Sequence, residues 1–346
     1  MRGHFFEDFE VGRTFRHATP RTLTAGDASV YIGLTGARQP VHCAEPLARA
    51  MGHPACPLDD FLVFNVAFGK TVPDVSYNAV ANLGYADVRF REPVYAGDTL
   101  RCESRVTGVR ETSNGKSGVV YVRSAAFNQH GREVLGWDRW VMVAKRGAGP
   151  APQAVVPTLP AQVPAGELAV PAFLRMNALL AETTGGARLW DDYAPGEVLD
   201  PPGGMTLEEA DHMTATRLYQ NTARIHFDAF AARENAFGKR LIYGGHVISV
   251  CRALSYDGLE NAFAVAAIHG GTHANPTFAG DTIYCRHVVT SRDEIPGRRD
   301  IGALRLRMLG VKNAKLAEIP ALAPGGKHDH VVLDLDYSVL IPRRQS

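Results

Sequence analysis

The chain has 346 residues, more than the ~250 to 300 at which a single hydrophobic core usually stops growing, so two domains are expected. Hydrophobic residues make up 45% of the chain and charged residues 21%, which is typical of a globular protein and unlike a disordered one. The 37 basic and 36 acidic residues leave a net charge of +1 with no long basic run, so a nucleic-acid partner is not expected.

The N-terminal residues and the cysteines indicate a cytoplasmic protein with no membrane partner. Residues 1–12 lack a basic flank followed by an apolar stretch, and no segment approaches the ~18 apolar residues of a membrane helix. The five cysteines are scattered and form no CxxC pair, which argues against a disulfide framework and a structural zinc site.

Internal repetition is the strongest signal in the sequence. Residues 5–12 (FFEDFEVG) are matched by residues 189–196 (LWDDYAPG) at an offset of 184 positions. The same offset places His42 on His226, and a later turn motif aligns after a one-residue slip. Because chance would rarely preserve one register across separate matches, we predict two copies of one unit.

The repeat divides the chain into an N-terminal copy over residues 1–146, a linker over 147–185 and a C-terminal copy over 186–346. Residues 147–171 contain six prolines and little periodicity. Proline at that density removes backbone donors and favours an extended path. We therefore expect the linker to wrap one domain onto the other.

Each copy is predicted to contain three helices in the same order, followed by antiparallel strands. The helices cover residues 24–33, 45–51 and 60–69 in the N-terminal copy and 206–219, 228–235 and 246–256 in the C-terminal copy. Residues 332–337 alternate apolar and polar side chains, which is the period of a half-buried strand. Early helices and late antiparallel strands indicate an α+β fold.

The two copies differ at the start of their longest helix. In the C-terminal copy, Gly244 and Gly245 leave backbone N–H groups bare at the positive end of a helix dipole, where they could hold a carbonyl oxygen that gains charge. The N-terminal copy has Asp59 and Asp60 there and no glycine, so an anion would be repelled. The asymmetry predicts one working site, near His226, and one degenerate site.

These features resemble the MaoC-like, or hydratase 2, family of hotdog-fold enoyl-CoA hydratases. The resemblance rests on the histidine loop over 219–228, the glycine-started helix and the turn over 278–282. In a hotdog, an antiparallel sheet wraps a long central helix. A match in both copies implies a double hotdog of two such sheets.

The segment over 221–249 is most similar to the members that hydrate mesaconyl-CoA. The resemblance therefore implies a hydro-lyase that reversibly hydrates a short branched dicarboxylic enoyl-CoA, with mesaconyl-CoA and β-methylmalyl-CoA as the substrate pair. An acyl-CoA thioester is the expected partner, no cofactor is expected, and a homodimer is the commonest extension of such a fold.

The resemblance assigns roles to residues of the C-terminal copy. His226 takes the position of the catalytic histidine, and Gly244 with Gly245 takes that of the oxyanion-hole glycine. The family's aspartate, five residues before the histidine, is replaced by Asn221. A carboxamide can orient a water molecule but cannot accept its proton, so we expect His226 alone to shuttle the proton while Asn221 positions the water.

Three further residues are candidates for substrate binding. Arg224, two residues before His226, is our hypothesis for the bidentate partner of a free carboxylate on the acyl group, with a salt bridge as the alternative. Tyr243 and His246 flank the glycines and either contact substrate or pack the helix start. Asp228 is expected to cap the next helix instead of serving as the base.

No metal site is expected, because Gly270 and Gly271 break any helix on which His269 and His273 could hold zinc. Two other functions stay open at this stage. A thioesterase would use Asp59 or Asp60 to activate water. A non-catalytic acyl-CoA-binding subunit would explain the amide at position 221.

Overall fold

The computed structural model describes residues 3–147, 149, 152–179, 181–321 and 328–344. The helices of the N-terminal copy are α1 (Ala25–Thr35), α2 (Pro40–Cys43), α3 (Glu45–Ala50) and α4 (Asp60–Thr71), and its strands are β1 (Thr14–Arg16), β2 (Arg21–Thr22), β3 (Ala79–Phe90), β4 (Thr99–Glu111), β5 (Ser117–Phe127) and β6 (Glu133–Ala144). Helix α5 (Ala181–Thr184) precedes the C-terminal copy, which has the helices α6 (Glu209–Leu218), α7 (Arg224–Phe227) and α8 (Gly244–Leu254) and the strands β7 (Val198–Leu199), β8 (Gly204–Thr206), β9 (Ala264–Thr272), β10 (Thr282–Glu294), β11 (Ile301–Lys312) and β12 (Val331–Pro342).

The strand order confirms the duplication. Strands run β4-β5-β6-β3 in the N-terminal copy, and β9-β12-β11-β10 is the same order reversed. Strands β3 and β9 pair antiparallel, with Tyr85 opposite Gly271 and Val88 opposite Ile268. The two sheets predicted from the sequence are present and join through β3 and β9 into one sheet with 12 strands among the described residues, because the inner edge strands of the two copies satisfy each other's backbone groups.

The two central helices lie side by side where the copies meet. Helix α4 contacts β4, α8 contacts β10, and the two helices contact each other. Asn65 of α4 donates from Nδ2 to the Ser249 hydroxyl at 3.0 Å and to the Gly245 carbonyl at 3.2 Å. Asn65 and Ser249 are equivalent in the repeat, so the two helices cross at the axis that relates the copies.

Helix starts differ between the copies for local reasons. Thr24 caps α1 in a reciprocal pair with Asp27, in which each side chain accepts from the other's backbone N–H at 3.2 and 2.8 Å. The equivalent helix α6 begins at Glu209, later than predicted, because Thr206 pairs with Thr282 at the end of β8. The turn aspartates act as predicted, since Asp281 accepts from the Phe278 N–H at 2.9 Å.

The described part of the linker packs against both copies. Val163 and Leu174 are buried in a cluster that also holds Met51 of the N-terminal copy and Phe263 and Ile301 of the C-terminal copy. The linker is therefore part of the core, although its prolines give it little regular structure. No helix among the described residues is both long and apolar enough to cross a bilayer.

Candidate active site

A cavity of about 780 Å³ lies at the boundary between the copies. The C-terminal copy supplies one wall, which includes Asn221, Arg224, His226, Tyr243 and Gly244. The N-terminal copy supplies the opposite wall through the end of α4, the turn that follows it and the start of β3. The structure thus brings most of the predicted site residues together and adds a wall that the sequence did not predict.

His226 lies in α7 with its ring orientation set by the backbone. Its Nδ1 is 2.9 Å from the Leu241 carbonyl oxygen, which can only accept, so Nδ1 carries the hydrogen and Nε2 keeps a lone pair. Burial lowers the pKa of His226 below its usual value of 6.5, an effect that the bond to Leu241 partly opposes. The ring is therefore neutral near pH 7 and can accept a proton at Nε2.

Asn221 is 1% exposed, and its amide is oriented by the backbone that follows it. Its Oδ1 accepts from the Ala223 N–H at 3.1 Å, which identifies the oxygen and the nitrogen of the amide. None of the described residues accepts a hydrogen bond from Nδ2. The side chain can therefore donate one hydrogen bond to the oxygen of a water molecule or of the substrate.

The glycines stand where helix α8 begins, after Tyr243. The N–H groups of His246 and Val247 bond back to the Tyr243 carbonyl at 2.9 and 3.4 Å, whereas those of Gly244 and Gly245 have no acceptor among the described residues. A Cβ at Gly244 would lie 2.3 Å from Cε1 of His273, so glycine is also required by packing. The N–H of Gly244 therefore lies at the positive end of a helix beside the cavity, whereas Gly245 is buried one position further on and does not line it.

His212 is a site residue that the sequence analysis missed. Its Nε2 accepts from the Tyr243 N–H at 2.9 Å, which fixes the residue before the glycines. Its ring meets that of His226 edge-on, with centroids 6.2 Å apart. Burial, with His226 and His246 nearby, lowers the pKa of His212 to about 3, so it acts as a neutral acceptor. The available signal was that its equivalent in the repeat, Ala28, is apolar.

The predicted substrate-binding residues are placed differently. The Arg224 side chain borders the cavity but is 61% exposed and lies 3.6 Å from Asp228, so it stands at the mouth. Tyr243 lines the cavity. His246 does not border it and is 1% exposed, because it lies about 200° around the helix from Gly244. Asp228 accepts from the Ala231 N–H at 3.0 Å, which is the predicted capping role.

The equivalent site in the N-terminal copy keeps the histidine bond but not the space. His42 Nδ1 lies 3.0 Å from the Pro57 carbonyl, as His226 does from Leu241. The cavity there is only about 50 Å³, and linker residues form part of its lining. Such a volume suits a few water molecules and not an acyl thioester.

Both aspartates of the N-terminal copy bind backbone groups. Asp59 accepts from the Phe61 N–H at 2.9 Å, and Asp60, which replaces Gly244, accepts from the Val265 N–H at 2.7 Å. Burial raises the pKa of Asp60 to about 6. Asp59 therefore holds the start of its own helix, Asp60 holds the backbone of the C-terminal copy, and neither lines the large cavity.

Comparison with known proteins identifies the family. Residues 1–153 match the model of the mesaconyl-CoA hydratase family. A β-methylmalyl-CoA dehydratase of Chloroflexus aurantiacus is 51% identical over 344 residues, which are 99% of this chain and 98% of the relative. A mesaconyl-CoA hydratase of Cereibacter sphaeroides is 48% identical over 344 residues, again 99% and 98% of the two chains.

Solved structures confirm the predicted fold. A crystal structure of a MaoC domain protein dehydratase from Chloroflexus aurantiacus has a TM-score of 0.96 and 51% identity, covering 99% of this chain and 98% of that one. A Mycobacterium tuberculosis protein described as a double hotdog has a TM-score of 0.75 and 25% identity, covering 99% of each chain. The chain belongs to the mesaconyl-CoA hydratase family and has the MaoC-like double hotdog fold.

Proposed function

We propose that this chain is a hydro-lyase that reversibly hydrates mesaconyl-CoA to β-methylmalyl-CoA. The observation that carries the proposal is the neutral His226, which lines the same cavity as Gly244, where the N–H at the start of α8 has no acceptor among the described residues. Relatives with these two named activities match the chain over nearly its whole length, which supports the choice of acyl group.

Hydration of an enoyl thioester has three requirements. A water oxygen must bond to the β-carbon, the electrons of the double bond must move toward the thioester oxygen, and a proton must reach the α-carbon. The N–H groups of Gly244 and Gly245 hold the thioester oxygen while it gains charge. The site thus stabilises the enolate that forms between attack by water and protonation.

His226 carries the proton in both directions. Its Nε2 accepts a proton as water attacks the β-carbon, and the resulting imidazolium, stabilised by the Leu241 carbonyl, returns a proton to the α-carbon. The net change is the addition of H and OH across the double bond, with His226 returned to its neutral form. Dehydration follows the same steps in reverse.

Asn221 orients the attacking water. Its Oδ1 is engaged by the Ala223 N–H, so Nδ2 donates to the water oxygen and leaves a water proton pointing away from Asn221. Replacement by alanine should lower kcat on mesaconyl-CoA by about 10- to 100-fold with little change in KM, since it removes orientation but not the base. Replacement by aspartate tests whether a second base adds rate.

Arg224, at the mouth, remains our candidate for a charged group of the substrate. Its exposed guanidinium suits either the free carboxylate of the acyl group or a phosphate of CoA. Turnover of Arg224→Ala on mesaconyl-CoA and on crotonyl-CoA separates these two roles. An equal loss on both substrates excludes recognition of the acyl carboxylate by Arg224.

The decisive experiment follows the enoyl-thioester absorbance of mesaconyl-CoA in the presence of the purified protein. We expect the absorbance to fall to an equilibrium value without release of free thiol, and His226→Ala to abolish the change. Release of CoA thiol from a saturated acyl-CoA would identify a thioesterase. Binding of acyl-CoA without either reaction would identify a binding subunit.

A further inference from the structure

Arg139 of strand β6 is a buried arginine with no carboxylate partner among the described residues. It is 1% exposed, and its Nη2 donates to the Ser76 hydroxyl at 3.2 Å. Its Nε and Nη1 atoms have no hydrogen-bond partner in the part of the chain that the structure describes. The guanidinium stacks over the Phe68 ring at 4.3 Å, and burial lowers its pKa only to about 10, so it stays charged at neutral pH. An unpaired buried charge of this kind is costly unless a ligand supplies its partner.

This arginine lies directly behind the wall that the N-terminal copy contributes to the cavity. Ser76 and Phe68, the two residues that its guanidinium contacts, both line the cavity. Val141, two residues along the same strand and therefore on the same face of the sheet, also lines it. Tyr85, directly opposite Arg139 on β3, completes this part of the wall.

A second unpaired polar side chain belongs to the same wall. Asn82 of β3 lines the cavity, and neither its amide oxygen nor its amide nitrogen has a partner among the described residues. Its cross-strand neighbour is Val141, so Asn82 and Arg139 stand close together on the two paired strands. An amide donor on a largely apolar wall, with a guanidinium directly behind it, suits one carboxylate on a small acyl group.

We propose that Arg139, with Ser76 and Asn82, binds the free carboxylate of the acyl group and so selects dicarboxylic over monocarboxylic enoyl-CoA thioesters. The inference rests on the proposed hydratase function and deepens it. The incoming carboxylate accepts from the unpartnered N–H groups of the Arg139 guanidinium and from the Ser76 hydroxyl, and Asn82 supplies a further donor. The N-terminal copy, whose own site is degenerate, thereby determines the substrate specificity of the site in the C-terminal copy.

Arg139 and Arg224 are distinguished by their surroundings. Arg224 is 61% exposed and already lies near Asp228, so a carboxylate there would compete with water and with an existing partner. Arg139 is shielded from water and has no carboxylate partner in the described structure. A carboxylate bound there would therefore be stabilised more strongly than one bound to Arg224. The structure therefore favours Arg139 for the acyl carboxylate and leaves Arg224 to contacts at the mouth.

The test compares kcat/KM on mesaconyl-CoA with kcat/KM on crotonyl-CoA, which lacks the carboxylate. Arg139→Met keeps the unbranched apolar stem of the side chain, as far as the position of Nε, but removes the guanidinium and its charge. We expect a loss of at least ~100-fold on mesaconyl-CoA and a change within about threefold on crotonyl-CoA. Arg286→Met, at a buried arginine paired with Asp200 and outside the cavity lining, is the matched control and should leave the ratio between the substrates unchanged.

Each outcome decides one question. Equal effects of Arg139→Met on both substrates, or a discriminating loss in Arg224→Ala instead, would overturn the inference. If Arg139→Met does not fold, Ser76→Ala combined with Asn82→Leu should still lower the mesaconyl to crotonyl ratio, and an unchanged ratio would overturn it equally. Failure of the wild-type protein to hydrate mesaconyl-CoA would instead reject the proposed function itself.

Discussion

The Nδ1–H of His226 donates to the carbonyl oxygen of Leu241 at 2.9 Å. This bond selects the ring tautomer whose lone pair is on Nε2, because the carbonyl accepts only from a protonated nitrogen. Burial favours the neutral ring. His226 therefore has a neutral ring nitrogen that can accept a proton before any substrate binds, as the proposed mechanism with an amide at position 221 requires.

The first prediction concerns pH. A histidine whose pKa is lowered below 6.5 stays neutral as the pH falls from about 8 to 6.5 and is protonated only below that range. We expect kcat/KM on mesaconyl-CoA to be flat above pH 6.5 and to fall on the acid side with the slope of a single proton. If kcat/KM begins to decline above pH 7, burial does not lower the pKa of His226 as expected.

The second prediction compares the two equivalent histidines. His226→Ala removes the only proposed proton carrier and should lower kcat by about 10²- to 10⁴-fold, with acyl-CoA binding retained. His42→Ala removes a ring that makes the same backbone bond beside a cavity of about 50 Å³, and kcat should stay within about twofold. Steady-state measurements of kcat and calorimetric measurements of acyl-CoA binding check both variants. A large loss of kcat in the His42 variant would assign activity to the N-terminal copy.

The sequence was sufficient for the features that depend on local signals. The glycines at the start of α8 are visible in one segment, and the repeat with its shared histidine is visible when short segments are compared at a fixed offset. Asp228 as a cap and the aspartates of the two turns were also predictable, because each bonds to a backbone group within three residues.

Features that depend on contacts between distant segments could not be predicted. Asn65 meets Ser249 across 184 positions, and His212 meets the Tyr243 N–H across 31. In the sequence, nothing distinguishes Arg139 from other arginines in strands. In the structure, it lies behind the cavity wall without a carboxylate partner among the described residues. Nothing in the spacing of the N-terminal copy indicated that it forms half of the cavity around His226.

The third prediction concerns Gly244. An added Cβ would lie 2.3 Å from the His273 ring, so Gly244→Ala should move either the helix start or the ring and lower kcat/KM by at least about 10-fold. The double variant Gly244→Ala, His273→Ala relieves the contact and keeps the backbone N–H, so it should recover part of the melting temperature and part of the rate. A double variant no better than the single one would show that the ring is not the obstacle.

The fourth prediction concerns the effect of the Asp60 carboxylate on the free energy of unfolding. Burial raises the pKa of its carboxyl from 3.8 to about 6, so above pH 6 the folded state holds an ionised group that it disfavours, whereas below about pH 4 the group is protonated in both states. Asp60→Asn removes the charge, and its amide oxygen can still accept from the Val265 N–H. The variant should therefore be more stable than the wild type at pH 7.5, by at most about 3 kcal/mol, with the gain vanishing near pH 4.

Urea denaturation at about pH 4.5 and 7.5 measures this difference, and Asp300→Asn is the matched control. The Asp300 carboxylate is hydrogen-bonded to Arg298, which lowers its pKa, so its ionised form stabilises the fold and the substitution should destabilise the protein at pH 7.5. The two variants should thus have effects of opposite sign at neutral pH. Destabilisation by Asp60→Asn at pH 7.5 would mean that the buried carboxylate, with its bond to Val265 and the nearby His42, stabilises the N-terminal site in its ionised form.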